Sequence, residues 1–141
     1  MSAATVAQTG QRHEPGRWLL GGTAVAFGVA TLIEGGHVLF GGPDARAEAG
    51  NVVPFVLMFN FAAGFAYVAG GLSTLLGRAW TIWVARAVAL SSLLVFAAFG
   101  VHALSGGAYE TRTLIAMPLR SGFWVAQALL LPRLFKGGRH A

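Results

Sequence analysis

Four long apolar stretches dominate the sequence, at residues 18–40, 53–76, 80–104 and 113–135, and only short polar segments connect them. A helix needs about 20 predominantly apolar residues to cross the hydrocarbon core of a bilayer, and each stretch reaches that length. Short connections place consecutive spans side by side and in opposite directions. The pattern therefore predicts an all-α integral membrane protein, an antiparallel four-helix bundle that forms a single domain over residues 1–141.

Composition and cysteine content narrow the chemistry that this bundle can perform. The chain is 55% hydrophobic and contains no cysteine, which excludes disulfides, thiolate metal sites and dithiol redox motifs. The first apolar run is too long for a signal-peptide core and contains Glu34, so we expect it to be retained. Any metal or redox chemistry must use histidine, carboxylate or a bound cofactor.

Basic residues predict the orientation in the membrane, because cytoplasmic loops carry an excess of lysine and arginine. Both termini should be cytoplasmic, with residues 1–17 and 136–141 as cytoplasmic tails. The high pI of about 11.2 then reflects anchoring to anionic headgroups, and nucleic-acid binding is excluded for lack of a basic patch away from the helix ends. One side carries Arg12, Arg17, Arg78, Arg133, Lys136 and Arg139, and the other carries Arg46 and Arg112.

Glycines and tryptophans have simpler explanations than binding. Small residues allow helix backbones to approach closely in lipid, so the many glycines of the spans predict helix packing. Tryptophan is enriched at membrane interfaces, and the indoles are predicted to be interfacial anchors. The four tryptophans are Trp18, Trp80, Trp83 and Trp124.

A polar layer is predicted near the non-cytoplasmic face. Counting about 1.5 Å per residue places Glu34 about 9 Å below the end of its span, and Asn60 and Arg120 about 10 Å below theirs. His37 lies one turn nearer the surface on the same face as Glu34, and His102 lies at a similar height. Because an unpaired intramembrane charge is costly, Glu34 and Arg120 are expected to face each other.

Several interpretations of this layer remain open. The first is a purely structural ion pair that fixes helix register. The second is haem b between His37 and His102, and the third is a metal ion held by Glu34, His37 and His102, with or without Glu110 as a further ligand. The fourth is a pocket for a quinone or another lipid-soluble headgroup.

Other polar side chains lie outside the layer. Tyr109, Glu110 and Arg112 are candidates for a lid over it, although the two charges also suit a solvated loop. On the cytoplasmic side, Arg86 either extends to lipid phosphates or bonds Gln127 and the hydroxyls of Ser73 or Thr74.

The segment AGGLSTLLGRAWTIWVARAVAL, at residues 69–90, resembles the DoxX-like family of small four-helix bacterial membrane proteins. The resemblance rests on the paired glycine, the leucine run, the Gly-Arg turn and the alanine-rich third helix. It implies a bacterial inner membrane location and a partner in membrane redox chemistry. The polar layer is built largely from other stretches, so no functional residue transfers from the resemblance.

These observations favour an accessory or ligand-binding subunit of a membrane redox or respiratory system, with a protein partner or a second copy of itself. Enzyme activity of the chain alone is disfavoured, because neither a catalytic triad order nor a phosphate-binding loop is present. The alternatives are a proton-coupled exporter of the small multidrug type and a structural subunit. Exporter activity requires an unpaired Glu34, so the expected pairing with Arg120 argues against it.

Overall fold

The computed structural model describes residues 14–136, and within that range the chain forms five helices and no strand. Four of the helices are long and apolar enough to cross a membrane, so the all-α prediction is confirmed and each predicted span corresponds to a helix. Their length and composition are those of a small integral membrane protein. The helices are α1 (Glu14–Phe40), α2 (Gly42–Ala49), α3 (Pro54–Leu75), α4 (Thr81–Leu104) and α5 (Thr111–Lys136).

Both predicted tails extend beyond the part of the chain that the structure describes. Residues 1–13, with Arg12, and residues 137–141, with Arg139, lie outside it.

Helix α2 occupies a segment that the sequence analysis treated as a plain connection. Pro43 stands in its first turn, where a missing N–H costs nothing, and Asp44 in the same turn suits the positive end of a helix. Gly50 ends the helix at a φ of 75°, and its N–H donates to the carbonyls of Arg46 and Ala47. Ala45 is buried, so α2 is packed against the rest of the molecule.

Helices α1 and α3 are the most closely packed pair, because glycines let their backbones approach each other. A Cβ added at Gly28 would lie 2.8 Å from Val68, and one added at Gly21 would lie 2.8 Å from Leu75. Gly64 of α3 faces Leu32 in the same way. The contacts pair early residues of α1 with late residues of α3.

The remaining contacts place α4 against α5 and α3 against α4, while α1 and α5 meet at few positions. Among the described residues, the backbones of α1 and α4 stay apart, as do those of α3 and α5. The side chains of Tyr67 and Trp124 fill the space between α3 and α5, with ring centroids 4.7 Å apart. Together with Leu131 they belong to the central apolar core.

Trp124 corrects one sequence prediction. Its side chain is only 1% exposed, so it is a core residue and the prediction of an interfacial anchor was wrong. Trp18, Trp80 and Trp83 are more than half exposed, as an anchor must be.

Candidate functional site

A cavity of about 450 Å³ lies where the end of α1 meets α2, the start of α3 and the start of α5. Apolar side chains form much of its wall, including Val53, Val56 and Met117, all of them buried. Ligand cavities typically measure about 300 to 1,000 Å³ and combine apolar walls with few polar groups. Its polar lining consists of Thr31, Glu34, His37, Glu48, Asn60, Glu110, Arg112, Thr113 and Arg120.

Arg120 is the most unusual side chain of this cavity. It is 7% exposed, and its Nε and Nη1 atoms are buried without a hydrogen-bond partner. Across residues 14–136 no carboxylate oxygen lies within 4.0 Å of its guanidinium. The ring of Phe27 offers a cation–π contact, with its centroid 5.4 Å from Cζ. A buried cation thus borders the cavity without a countercharge in contact.

Glu34 does not form the expected ion pair. The carboxylate lines the same cavity and is near enough to Arg120 to interact electrostatically, but the two groups are not within 4.0 Å of each other in the described chain. Glu34 is exposed. The two residues lie at the same end of the bundle, but counting along a span does not give the rotation of a side chain about its helix axis, which is why direct pairing was wrong.

The rotation of Glu34 follows from two residues that precede it on the same face of α1, at intervals of seven. The Leu20 carbonyl accepts a hydrogen bond of 2.9 Å from Nε2 of Gln127 on α5. Phe27 packs on Phe123 of α5, with centroids 5.0 Å apart. Glu34 therefore lies on the same face of α1 as these two contacts with α5. At this position the face borders the cavity.

Asn60 and His37 also lie at this cavity, as the predicted layer requires. Asn60 has a buried Oδ1 atom with no hydrogen-bond partner. His37 lies at the mouth, where Nε2 is 3.8 Å from Oε2 of Glu48, and both side chains are exposed. Sequence reasoning missed Glu48 as a partner because it treated α2 as an unstructured connection.

His102 does not join the layer. Its Nε2 atom lies 3.0 Å from the carbonyl oxygen of Ala108, and the ring packs against Phe55 and Gly107. It does not line the cavity. A haem between His37 and His102 would require breaking that bond and moving the ring. The sequence again did not indicate in which direction the side chain points.

The described chain also lacks the donor set of the predicted metal site. Over residues 14–136 no three histidine, cysteine, aspartate or glutamate side chains lie close enough together to hold a metal ion. Glu34 and His37 share the cavity lining with Glu48 and Glu110, but they do not converge on one point. The geometry therefore does not assemble the ligand set of Glu34, His37 and His102.

Two of the three lid candidates line the cavity and form hydrogen bonds to the segment around the end of α2. Oε1 of Glu110 accepts a hydrogen bond of 2.7 Å from the backbone N–H of Asn51. Nη2 of Arg112 donates to the carbonyls of Glu48 and Ala49 at 3.4 Å. These bonds tie Glu110 and the first turn of α5 to the last turn of α2 and Asn51. Tyr109 instead packs on Phe99 and does not line the cavity.

A group of buried polar atoms lies beneath Arg120. The Tyr67 hydroxyl, the Ser92 hydroxyl and Nε1 of Trp124 are all buried without a hydrogen-bond partner. Asn60 and Tyr67, seven residues apart on α3, share one helix face, which was the available signal. The inner end of the cavity is therefore followed by a polar region inside the bundle.

Arg86 and Gln127, which the sequence analysis assigned to the cytoplasmic side, do not bond each other. Gln127 bonds the Leu20 carbonyl, while Ser73 and Thr74 both bond the Gly70 carbonyl. Arg86 is exposed, and its Cζ lies 5.2 Å from the ring centroid of Trp83.

Comparison with known proteins adds no relative. No family model matches the chain, and neither a curated protein nor a solved structure matches it. The DoxX-like resemblance stays a prediction. Fold and site together define a helical protein with four candidate membrane spans and a polar cavity lined by a buried arginine.

Proposed function

We propose that this protein binds a lipid-soluble small molecule whose polar head accepts hydrogen bonds from Arg120, and that a quinone is the ligand. The observation that carries the proposal is the buried guanidinium at the cavity, which has neither a hydrogen-bond acceptor nor a carboxylate in contact within the described chain. Burying such a group is costly, and a carbonyl oxygen of a ligand would offset that cost.

The wall of the cavity suits the rest of such a ligand. Val53, Val56 and Met117 offer apolar contact to a ring, and the exposed Glu34 carboxylate at the α1–α5 line can accept a hydrogen bond from the hydroxyl of a quinol. Since α1 and α5 make few contacts, an isoprenoid tail can leave the cavity between them and enter the bilayer. Apolar walls with a few polar groups match a compound that partitions into lipid and carries a polar head.

The setting is that of an accessory subunit. We place the chain in a bacterial inner membrane as an antiparallel bundle with both termini in the cytoplasm, which puts the cavity near the non-cytoplasmic face. The predicted DoxX-like relationship supports a redox neighbourhood. Electron transfer to or from the quinone belongs to a partner protein, because this chain supplies binding groups and no redox centre of its own is proposed.

The test is direct binding of a short-tail quinone to protein in lipid nanodiscs. Quenching of tryptophan fluorescence reports binding, because Trp124 lies in the core beneath the cavity. Arg120→Gln should weaken binding by at least about tenfold, the value of one charge-assisted hydrogen bond. Arg86→Gln removes an arginine outside the cavity and should leave affinity unchanged. Equal affinity for the wild type and Arg120→Gln would overturn the proposal.

A second candidate function is favoured by one observation. Glu34 is exposed at the cavity and forms no ion pair within 4.0 Å in the described residues, which is the condition for proton-coupled export. In proteoliposomes with a pH gradient, an exporter would extrude a lipophilic cation such as ethidium. Transport that Glu34→Gln abolishes and Glu34→Asp retains would establish this function, and absence of gradient-driven transport would remove it.

A further inference from the structure

A second recess lies at the opposite end of the molecule from the cavity, between the first turns of α4 and the last turn of α5. It has a volume of about 240 Å³. The start of α5 lines the cavity and its end lines this recess, so a span separates the two sites. Its lining includes Ile82, Trp83, Arg86, Pro132, Phe135 and Lys136.

Among the side chains that the structure describes, two cations and no acid border this recess. The Arg86 guanidinium is held over the Trp83 ring at 5.2 Å, and Lys136 ends the described part of α5. Of the five acidic residues of the chain, Glu34, Asp44, Glu48 and Glu110 lie on the elements around the cavity at the other end. Glu14, the fifth, begins α1.

The surface next to the recess is apolar and continues along α4. Trp83, Leu90 and Leu94 recur at helical spacing on one face, and they are 69%, 62% and 64% exposed. A row of exposed apolar side chains that starts at a pair of cations is complementary to a molecule with an anionic head and a hydrocarbon chain.

We propose that this recess binds the phosphodiester headgroup of an anionic phospholipid, with Arg86 and Lys136 on the phosphate and an acyl chain along Trp83, Leu90 and Leu94. Arginine and lysine are the usual phosphate partners, and basic recesses between spans on the cytoplasmic side are suited to anionic lipid heads.

Native mass spectrometry of the purified protein with phosphatidylglycerol tests this assignment. Arg86→Gln and Lys136→Gln should each weaken lipid binding by at least about tenfold. Arg133→Gln removes the same charge from an exposed position of α5 that does not line the recess, and it should bind as the wild type does. Far-ultraviolet circular dichroism checks that all three variants keep their helices.

Two further arms separate the sources of the phosphate group and the role of net charge. Phosphatidylcholine and inorganic phosphate should each fail to displace bound phosphatidylglycerol. Displacement by inorganic phosphate would show a site for the free anion and overturn the lipid assignment. Equal losses in the Arg86, Lys136 and Arg133 variants would also overturn it, because surface charge alone would then explain the binding.

Discussion

At the scale of single residues, Arg120 combines burial, charge and the absence of a contacting acid across the described chain. A guanidinium stays protonated in proteins, so burial does not neutralise it. The Phe27 ring at 5.4 Å compensates only part of the cost, because a cation–π contact contributes about 0.5 to 2 kcal/mol. The unliganded fold therefore tolerates an unfavourable residue at this position.

Replacing this charge should stabilise the protein. We expect Arg120→Met to raise the free energy of unfolding by about 1 to 2 kcal/mol, because an apolar side chain of similar length removes an unpaired buried charge. Circular dichroism during titration with a denaturing detergent measures this change.

The matched control for that experiment is Arg86→Met, which alters an exposed arginine and should change the unfolding free energy by no more than about 0.5 kcal/mol. If Arg120→Met instead loses several kcal/mol of unfolding free energy, the guanidinium has a structural partner. That result would contradict our inference that the buried charge is unpaired.

Residue types and spacing were enough to find four members of the cavity, Glu34, His37, Asn60 and Arg120. Depth follows from counting along an apolar helix, and all four lie at one end of the bundle. Direction does not follow from counting, because each span is apolar on every side. For that reason the Glu34 to Arg120 contact was wrong, and His102 bonds the Ala108 carbonyl instead of joining the cavity lining.

At the scale of helices, close packing is concentrated between α1 and α3. Gly21, Gly28, Gly64 and Gly71 each lie so near the facing helix that an added Cβ would come closer than 3.0 Å to it. Gly22 and Gly100 lie in the same kind of apolar span, yet nothing faces them within 4 Å. Glycine content alone predicted packing without indicating which glycines perform it.

This contrast predicts position-specific effects of alanine. Gly28→Ala should lower the unfolding free energy by about 1 to 3 kcal/mol, because its Cβ would press on Val68 and Tyr67. Gly22→Ala and Gly100→Ala should be neutral or slightly stabilising, since alanine has the higher helix propensity. Detergent unfolding of the three variants checks this, and a stability of Gly28→Ala equal to that of the two controls would argue against the observed seam.

The hydropathy pattern located the four spans but not the short helix α2. Hydropathy located the four spans to within a few residues, as in the prediction of 80–104 for α4 (Thr81–Leu104). It missed α2, because a short helix rich in alanine and charge has no apolar period. The local signals were present in Pro43, Asp44 and Gly50, and the bonds from Glu110 and Arg112 now give this region its place at the mouth of the cavity.

Glu110 should control the opening of this mouth. Glu110→Ala removes the acceptor of the Asn51 N–H, worth about 1 kcal/mol at an exposed position, so exchange of that amide should accelerate about fivefold. Hydrogen–deuterium exchange detects the change. Asp44→Ala, an exposed acid that does not line the cavity, should leave the rate at Asn51 unaltered. Unchanged exchange in Glu110→Ala would show that this bond does not hold the two connections together.

At the scale of the whole molecule, charge is distributed unequally between the two ends. The described part of the recess end carries Arg17, Arg78, Arg86, Arg133 and Lys136, whereas the cavity end carries most of the acids. Anionic lipids and the positive-inside tendency both favour the basic end in the cytoplasm.

Reporter fusions test that orientation. A fluorescent protein at the C-terminus should be bright and a periplasmic phosphatase at the same place inactive, because the basic end is expected to stay in the cytoplasm. A phosphatase inserted in the connection between α4 and α5 should be active. The reverse pattern would place the cavity on the cytoplasmic side.

The sparse contact between α1 and α5 has a consequence for how occupancy is measured. A compound that reaches Arg120 sideways from the acyl region is present there at its mole fraction in the membrane, and not at its bulk concentration. Adding empty vesicles at constant total compound should then deplete the site even though no competitor has been added. Dissociation constants for this protein are therefore meaningful only when expressed per lipid.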